Sequence, residues 1–454
     1  MTIPPTTAQT ESTADRGEGD LHYELFAAYL AAGARVASWV IVSAVVFRWA
    51  VADYAMLGVV RYTIAILNYT SLGLAPAMIR LLAEARSKTI GKEGEIAEQS
   101  RGVYSNALFL AGVAAVFGLL VAIVISKYYG LIFHPPIPTL DTVFYMGFGT
   151  VLRLAGDAPG AWLQTHGRIA RDNVFLAIGE VAWVALFIIF GQRSEDFGID
   201  QAAVTYALAA FVPLVLRLGT AAWMSGILLP NFLAIRGRIL WVLLAAGATV
   251  MLAQVADYLY APIDYVLINH FLDPVADAAA YTPIAQIGSA LLLVSSGLAA
   301  VLLPRSAVAH AAGNIAAVKR YYVRGTLLSA AALAIVAAVI WLTLPMLLRL
   351  WLGKVIPQTV DVMPIMLLAS VVGGSGMVGR SILIGAGKFG VFTSSVLLAA
   401  VGNVVISFLL VRYTGFGLAG VVLGTLAATA VRCVIWMPWY VRRMLRRQMA
   451  SAPV

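Results

Sequence analysis

Six arginines fall inside long apolar stretches of this 454-residue chain: Arg35, Arg61, Arg153, Arg217, Arg380 and Arg432. A charge at the centre of a membrane helix costs at least about 2.5–3.5 kcal/mol, so such a residue faces a cavity or a partner. A guanidinium stays charged and its planar fork takes two oxygens of a phosphate at once. A set of fixed arginines therefore suits a phosphate-bearing anion. Four acids share this setting, Asp157, Glu180, Asp257 and Asp264. A carboxyl buried in this way can carry a proton or hold Na+, which makes all four candidates for ion coupling.

Each residue also has a plainer reading. Arg153 lies one helical turn from Asp157, and the two would neutralise each other locally. Arg35 and Arg432 lie close enough to span ends to snorkel. Arg380 is in a glycine-rich span. Arg61 and Arg217 have no local acid, which favours a cavity for both. Most of these arginines belong to the first half of the chain, so an anionic group is expected mainly there. Glu180 is either a coupling group or the counter-ion of an arginine on another helix. Asp257 and Asp264 are seven apart and share a helix face, near Tyr258, Tyr260 and Tyr265. They form either a cation site or, for Asp264, a hydrated span end. The tryptophans read mostly as interface belts and packing. The five histidines have no metal spacing and no phosphate-binding glycine loop is present, so no metal and no ATP-driven step is expected.

The elements that hold these residues are membrane helices. The chain is 61% hydrophobic and 12% charged, against about 25% charged in soluble domains. Its mean hydropathy is +0.88. This excludes a soluble enzyme, a disordered chain and a disulfide scaffold, and the single Cys433 excludes an internal disulfide. Twelve spans are expected, at residues 25–48, 54–80, 103–126, 141–165, 170–190, 201–227, 239–267, 278–303, 323–347, 359–386, 389–411 and 416–439. Residues 1–24 form a polar tail expected to be disordered, with no cleavable signal peptide. Residues 25–227 and 239–440 form two six-helix lobes. Residues 228–238 link them on the cytoplasmic side, and 441–454 are a basic tail.

Loop charge sets the orientation. Loops after even-numbered spans and the C-terminal tail carry seventeen Lys and Arg, from Arg86 to Arg447, and the opposite side carries six. Both termini are therefore expected in the cytoplasm. The net charge of +9 belongs to these loops, and no nucleic-acid partner is expected. All loops are short, which disfavours an extramembrane catalytic domain.

The halves repeat at an offset near 220 residues. Phe197-Gly198 matches Phe416-Gly417, and His166-Gly167-Arg168 matches Ala386-Gly387-Lys388. Tyr54 matches Tyr281, and Arg80 matches Arg305. Repeats of the same topology in two halves are a transporter signature.

The run Ala52-Asp53-Tyr54-Ala55, followed by Ser71-Leu72-Gly73-Leu74-Ala75, resembles the first hairpin of bacterial polysaccharide flippases. So do Asp264-Tyr265-Val266-Leu267-Ile268, Ala280-Tyr281 and the Leu303-Pro304-Arg305 exit. Leu383-Ile384-Gly385-Ala386-Gly387-Lys388 and Gly415-Phe416-Gly417-Leu418-Ala419-Gly420 resemble that family's last three spans. The resemblance covers about residues 25–440 and points to the Wzx-like polysaccharide-transport branch of the multidrug/oligosaccharidyl-lipid/polysaccharide (MOP) exporter superfamily. It implies an all-α membrane protein with twelve helices in two six-helix lobes around a central cavity, a MATE-like fold. It also implies a non-enzymatic flippase that moves an undecaprenyl-diphosphate-linked oligosaccharide, such as an O-antigen repeat unit, across the bacterial cytoplasmic membrane. Such a protein would act by alternating access, as a monomer, coupled to H+ or Na+. It would serve the envelope polysaccharide polymerase and ligase machinery. Two other readings stay open. A multidrug or organic-cation antiporter of the same superfamily needs an acidic, aromatic cavity. A membrane-embedded enzyme needs a convergent acid/base or metal set, and the sequence shows none.

Overall fold

The computed structural model describes the backbone of all residues except 1–7, 72, 89–92, 135–139, 259–261 and 452–454. The first half folds as α1 (Ala8–Trp49), α2 (Val51–Ile64), α3 (Leu74–Lys88), α4 (Glu93–Ile132), α5 (Leu140–Ala155), α6 (Asp157–Thr165), α7 (Ile169–Ser194) and α8 (Ile199–Ser225). The second half folds as α9 (Gly237–Tyr258), α10 (Pro262–Phe271), α11 (Ala276–Ala311), α12 (Ile315–Leu352), α13 (Pro357–Gly385), α14 (Phe389–Tyr413), α15 (Gly417–Ala430) and α16 (Met437–Ser451). No strand occurs among the described residues. The protein is an all-α, multi-pass membrane protein.

Eight helical runs among the described residues are long and apolar enough to cross a bilayer without interruption. Of the other expected spans, the second and fourth are broken. The second falls on α2 and α3 with a 3-10 segment, Ala65–Ser71, between them. The fourth falls on α5 and α6, which meet at Gly156. The seventh falls on α9 and α10, and the eighth on α11. Interrupted membrane helices persist where protein or a cavity satisfies the freed backbone. At the N-terminus helical backbone begins at Ala8, inside the tail expected to be disordered. The first span supplies the nucleus, so extending the helix costs only propagation.

The repeat is visible in backbone geometry at one landmark. Gly167 and Gly387 both adopt φ +70°, a left-handed conformation that suits glycine. The next N–H reaches back five residues in each case, Arg168 to Leu163 at 2.9 Å and Lys388 to Leu383 at 2.8 Å. The same helix stop therefore ends α6 and α13. The Phe-Gly landmark is not matched in this way, since Gly198 has φ −72° and Gly417 has φ +53°.

The chain forms two compact units. One comprises residues 1–42, 67–124 and 141–250, and the other residues 43–66, 125–140 and 251–454. The first is cored by α3, α4 and α6, where Tyr104 stacks on Trp162 at 4.7 Å between ring centres. The second is built on α13, which packs against α11, α12 and α15. Small residues let these backbones approach, as expected where lipid supplies no hydrophobic drive between helices. A Cβ added at Gly424 of α15 would lie 2.7 Å from the Ser407 backbone nitrogen on α14. Asp273 caps α11, accepting from the N–H groups of Val275 at 2.8 Å and Ala276 at 2.7 Å. Those two bonds hold its carboxyl below the ordinary range.

Candidate functional site

Two groups of buried charged side chains stand out in the first unit. Glu180 of α7 is 1% exposed and receives three side chains. Arg153 of α5 donates to it at 2.5 Å, Ser38 of α1 donates at 2.8 Å, and Arg35 Nε of α1 lies 3.4 Å away. The Arg153 guanidinium also lies over the Tyr206 ring of α8, 4.5 Å from its centre. Trp39 and Trp183 pack edge-on beneath at 4.7 Å, and Trp183 donates to the Ala202 carbonyl. Two guanidiniums thus share one carboxylate. Arg153 Nε and Nη2 are buried and make no hydrogen bond among the described residues. Buried donors are nearly always satisfied, so two left over on one guanidinium call for a ligand.

The second group is an ion pair of fixed geometry. Arg217 of α8 donates to both oxygens of Asp172 on α7, at 2.7 and 3.0 Å. Gln164 of α6 donates to the same carboxylate at 2.9 Å. Both partners of the ion pair are buried. Gly160 leaves the room, since a Cβ there would meet Arg217 Cζ and Asp172 Oδ1 at 3.1 Å each.

These contacts revise the local reading of Arg153. Its partner is Glu180 and not Asp157. α5 ends at Ala155 and Asp157 opens α6, so the one-turn spacing that would join them is lost. Asp157 instead lies in the field of Arg217 and Asp172. Arg217, for which the sequence offers no local acid, finds one 45 residues away.

The second unit arranges similar groups differently. Asp264 of α10 is buried and accepts from the Tyr281 hydroxyl of α11 at 2.5 Å and from Thr425 of α15 at 3.4 Å. Thr425 also donates to Asn403 of α14 at 3.1 Å. Asp264 borders a cavity of about 360 Å³ that runs between α11, α13 and α15. Small side chains such as Gly288, Ser289, Ser370 and Gly373 form much of the wall. Arg380 and Arg432 line it as well. Arg432 lies in a π-helical stretch, Val431–Trp436, between α15 and α16. Such wide turns are rare and occur often at functional sites. The Arg380 guanidinium lies 5.5 Å from the Phe392 ring centre. Arg61 of α2 belongs to this unit too, beside Tyr62, whose ring stacks on Tyr265 at 4.9 Å. The side chains of Asp257, Tyr258 and Tyr260 lie outside the described residues.

The family described as polysaccharide biosynthesis protein matches residues 39–310. The chain belongs to the polysaccharide biosynthesis protein family. The MatE family also matches, over residues 249–409. No curated protein matches the chain. Among solved structures, the inward-facing conformation of a multidrug resistance MATE family transporter of the MOP superfamily aligns with TM-score 0.80 at 16% identity, covering 92% of this chain and 96% of that one. An outward-facing conformation of such a transporter aligns with TM-score 0.66 at 15% identity, covering 94% and 96%. The Vibrio cholerae MATE transporter VcmN in its bent form gives TM-score 0.61 at 15% identity, covering 94% and 99%. At such identities the likeness is one of fold. This member of the polysaccharide biosynthesis family thus has the MATE-like fold, as the sequence resemblance implies.

Sequence reasoning missed Asp172, Ser38 and Thr425, and took Tyr281 as a repeat landmark and part of the family resemblance, not as a site residue. Asp172 follows two basic residues and looks like part of a solvated loop. Its burial depends on α6 and α8, which no local pattern reveals.

Proposed function

We propose that the protein flips an undecaprenyl-diphosphate-linked oligosaccharide from the cytoplasmic to the outer leaflet of a bacterial cytoplasmic membrane, with both termini in the cytoplasm. The observation that carries this reading is the Arg153 guanidinium. It shares Glu180 with Arg35 and keeps two buried N–H donors unspent. Two cations on one acid leave a net positive charge within the membrane, suited to a diphosphate. Arg35 is 53% exposed in its side chain, so it offers that charge at an accessible edge. Arg217 serves as a structural cation in this reading, since Asp172, itself fixed by Gln164, already holds it in place. Arg61 and Arg380 are further anion contacts, borne by the second unit.

Asp264 is the preferred coupling group. Hydroxyls hold it where guanidiniums hold Glu180, and it borders a cavity. A proton or Na+ arriving there meets a carboxyl that no arginine has neutralised in the described ion pairs. Asp157 and Asp257 are secondary candidates for this role. The transport cycle is read as alternating access by a monomer, feeding the polymerase and ligase steps of envelope polysaccharide assembly.

The test is flipping of a fluorescent polyprenyl-diphosphate oligosaccharide by the purified protein in proteoliposomes. Flipping by the wild type that fails in Arg153→Ala supports the reading. Efflux of an organic cation without any flipping overturns it in favour of a drug antiporter.

A further inference from the structure

The segment joining α8 to α9 lies beside the largest cavity described, about 890 Å³, in the first unit. It stands apart from both charged groups above. Among the described residues three arginines line it, Arg101 of α4 and Arg236 and Arg238 at the start of α9, against one acid, Glu98. Apolar side chains, Leu81, Ile239 and Val242 among them, make up part of its wall.

The segment is fastened rather than loose. Asn106, fully buried on α4, donates to the Ala234 carbonyl at 3.0 Å and accepts from the Arg236 N–H at 2.9 Å. Ser105 accepts from the Asn231 N–H at 2.7 Å. Phe232 packs edge-on to Phe109 of α4, with 6.2 Å between ring centres. The arginines are therefore presented from a fixed frame. The outward side of the same segment is apolar. Leu228, Leu229, Phe232 and Leu233 are exposed, Leu233 at 97%, with Trp223 and Trp241 exposed on the flanking helices.

An exposed run of this kind is expected to bury itself in lipid. α8 is a membrane-length helix that ends at Ser225. The segment that follows it therefore runs at the boundary between bilayer and water. Tryptophans favour that level, and arginines there reach lipid headgroups.

We infer that this groove is a binding site for an anionic phospholipid of the surrounding bilayer. Arg101, Arg236 and Arg238 take the headgroup phosphate, and the apolar wall takes the upper acyl chain. The occupant follows from charge complementarity, three cations to one acid among the described lining residues, together with the exposed apolar side of the segment. The site is independent of the transported substrate proposed above, and its test does not require transport.

The test is native mass spectrometry of the full chain in detergent, titrated with dioleoyl phosphatidylglycerol and separately with dioleoyl phosphatidylcholine. The wild type should retain phosphatidylglycerol preferentially. The double variant Arg236→Ala/Arg238→Ala should weaken that binding by roughly thirtyfold. A control that removes the same charge elsewhere, Arg193→Ala/Arg412→Ala, should bind as the wild type does. The inference is overturned if the Arg236/Arg238 variant binds like the wild type, or if the control falls equally, which would mean bulk charge alone. It is also overturned if undecaprenyl diphosphate displaces phosphatidylglycerol from the groove at equal concentration, since the site would then belong to the substrate.

Discussion

The two units hold the same kinds of residue in opposite relations. Around Glu180 a carboxylate meets two guanidiniums, a serine hydroxyl and the aromatic wall behind Arg153. Around Asp264 a carboxylate meets the Tyr281 and Thr425 hydroxyls and the Asn403 side chain, while Arg380 and Arg432 line the neighbouring cavity. Residue type alone does not set the role of a buried charge. An acid clamped by arginine neutralises part of a cationic cluster and leaves the remainder for an anion. An acid held by hydroxyls keeps its own charge open to a small cation. In the proposed reading, anion recognition centres on the first unit, with Arg61 and Arg380 as further contacts, and ion coupling lies in the second.

The largest effect that would break this contrast concerns the Arg217–Asp172 pair, which the account treats as structural. Asp172→Ala strands a buried guanidinium and should destabilise the protein by about 3–5 kcal/mol. Replacing both partners, Asp172→Leu with Arg217→Met, should recover most of that loss in a thermal unfolding assay. Failure of the double variant to recover would show that Arg217 is held for another purpose.

Arg153→Ala should spare stability more and transport less. It removes charge-assisted hydrogen bonds to substrate worth about 1.5–3 kcal/mol, which corresponds to a loss of roughly tenfold or more in flipping. Initial rates in proteoliposomes, compared with the unfolding midpoint, separate the two effects. Gly424→Ala drives a Cβ into the Ser407 backbone and should cost about 1–3 kcal/mol, pressing on the Ser407–Asn403–Thr425 chain beside Asp264 and leaving the Glu180 group untouched. A loss of transport with unchanged stability would place function at the α14–α15 contact and weaken the contrast.

Asp264→Asn sharpens the second half of the comparison. The amide oxygen can still accept from Tyr281, so stability should shift by no more than about 1 kcal/mol. Flipping should lose its response to an imposed pH or Na+ gradient, while binding of the diphosphate lipid stays at the wild-type level. The smallest effect is expected for Arg35→Gln. Its pair with Glu180 is half exposed and 3.4 Å long, worth under about 1 kcal/mol of stability. A slower association of the anionic substrate at low salt would be its signature.

Much of the fold was legible because hydropathy and helix breaks are local. The break between α5 and α6 falls on a local breaker run, Gly156-Asp157-Ala158-Pro159-Gly160. The matched Gly167 and Gly387 announced two identical helix stops. The charged groups were legible as types and not as pairs. Arg153 and Asp157 have ideal one-turn spacing, yet the break at Gly156 sends Arg153 across to Glu180 on another helix. Arg217 and Asp172 are 45 residues apart, and Asp264 meets Thr425 across 161 residues. Pairings at such separations arise from helix packing, which one sequence does not encode in any short pattern.

The most direct measurement is equilibrium binding of a polyprenyl-diphosphate oligosaccharide to the detergent-solubilised protein, comparing wild type, Arg153→Ala and Asp264→Asn. The account predicts that Arg153→Ala binds at least about tenfold more weakly and that Asp264→Asn binds as the wild type does. Equal binding by Arg153→Ala, with binding lost in Asp264→Asn, would contradict it.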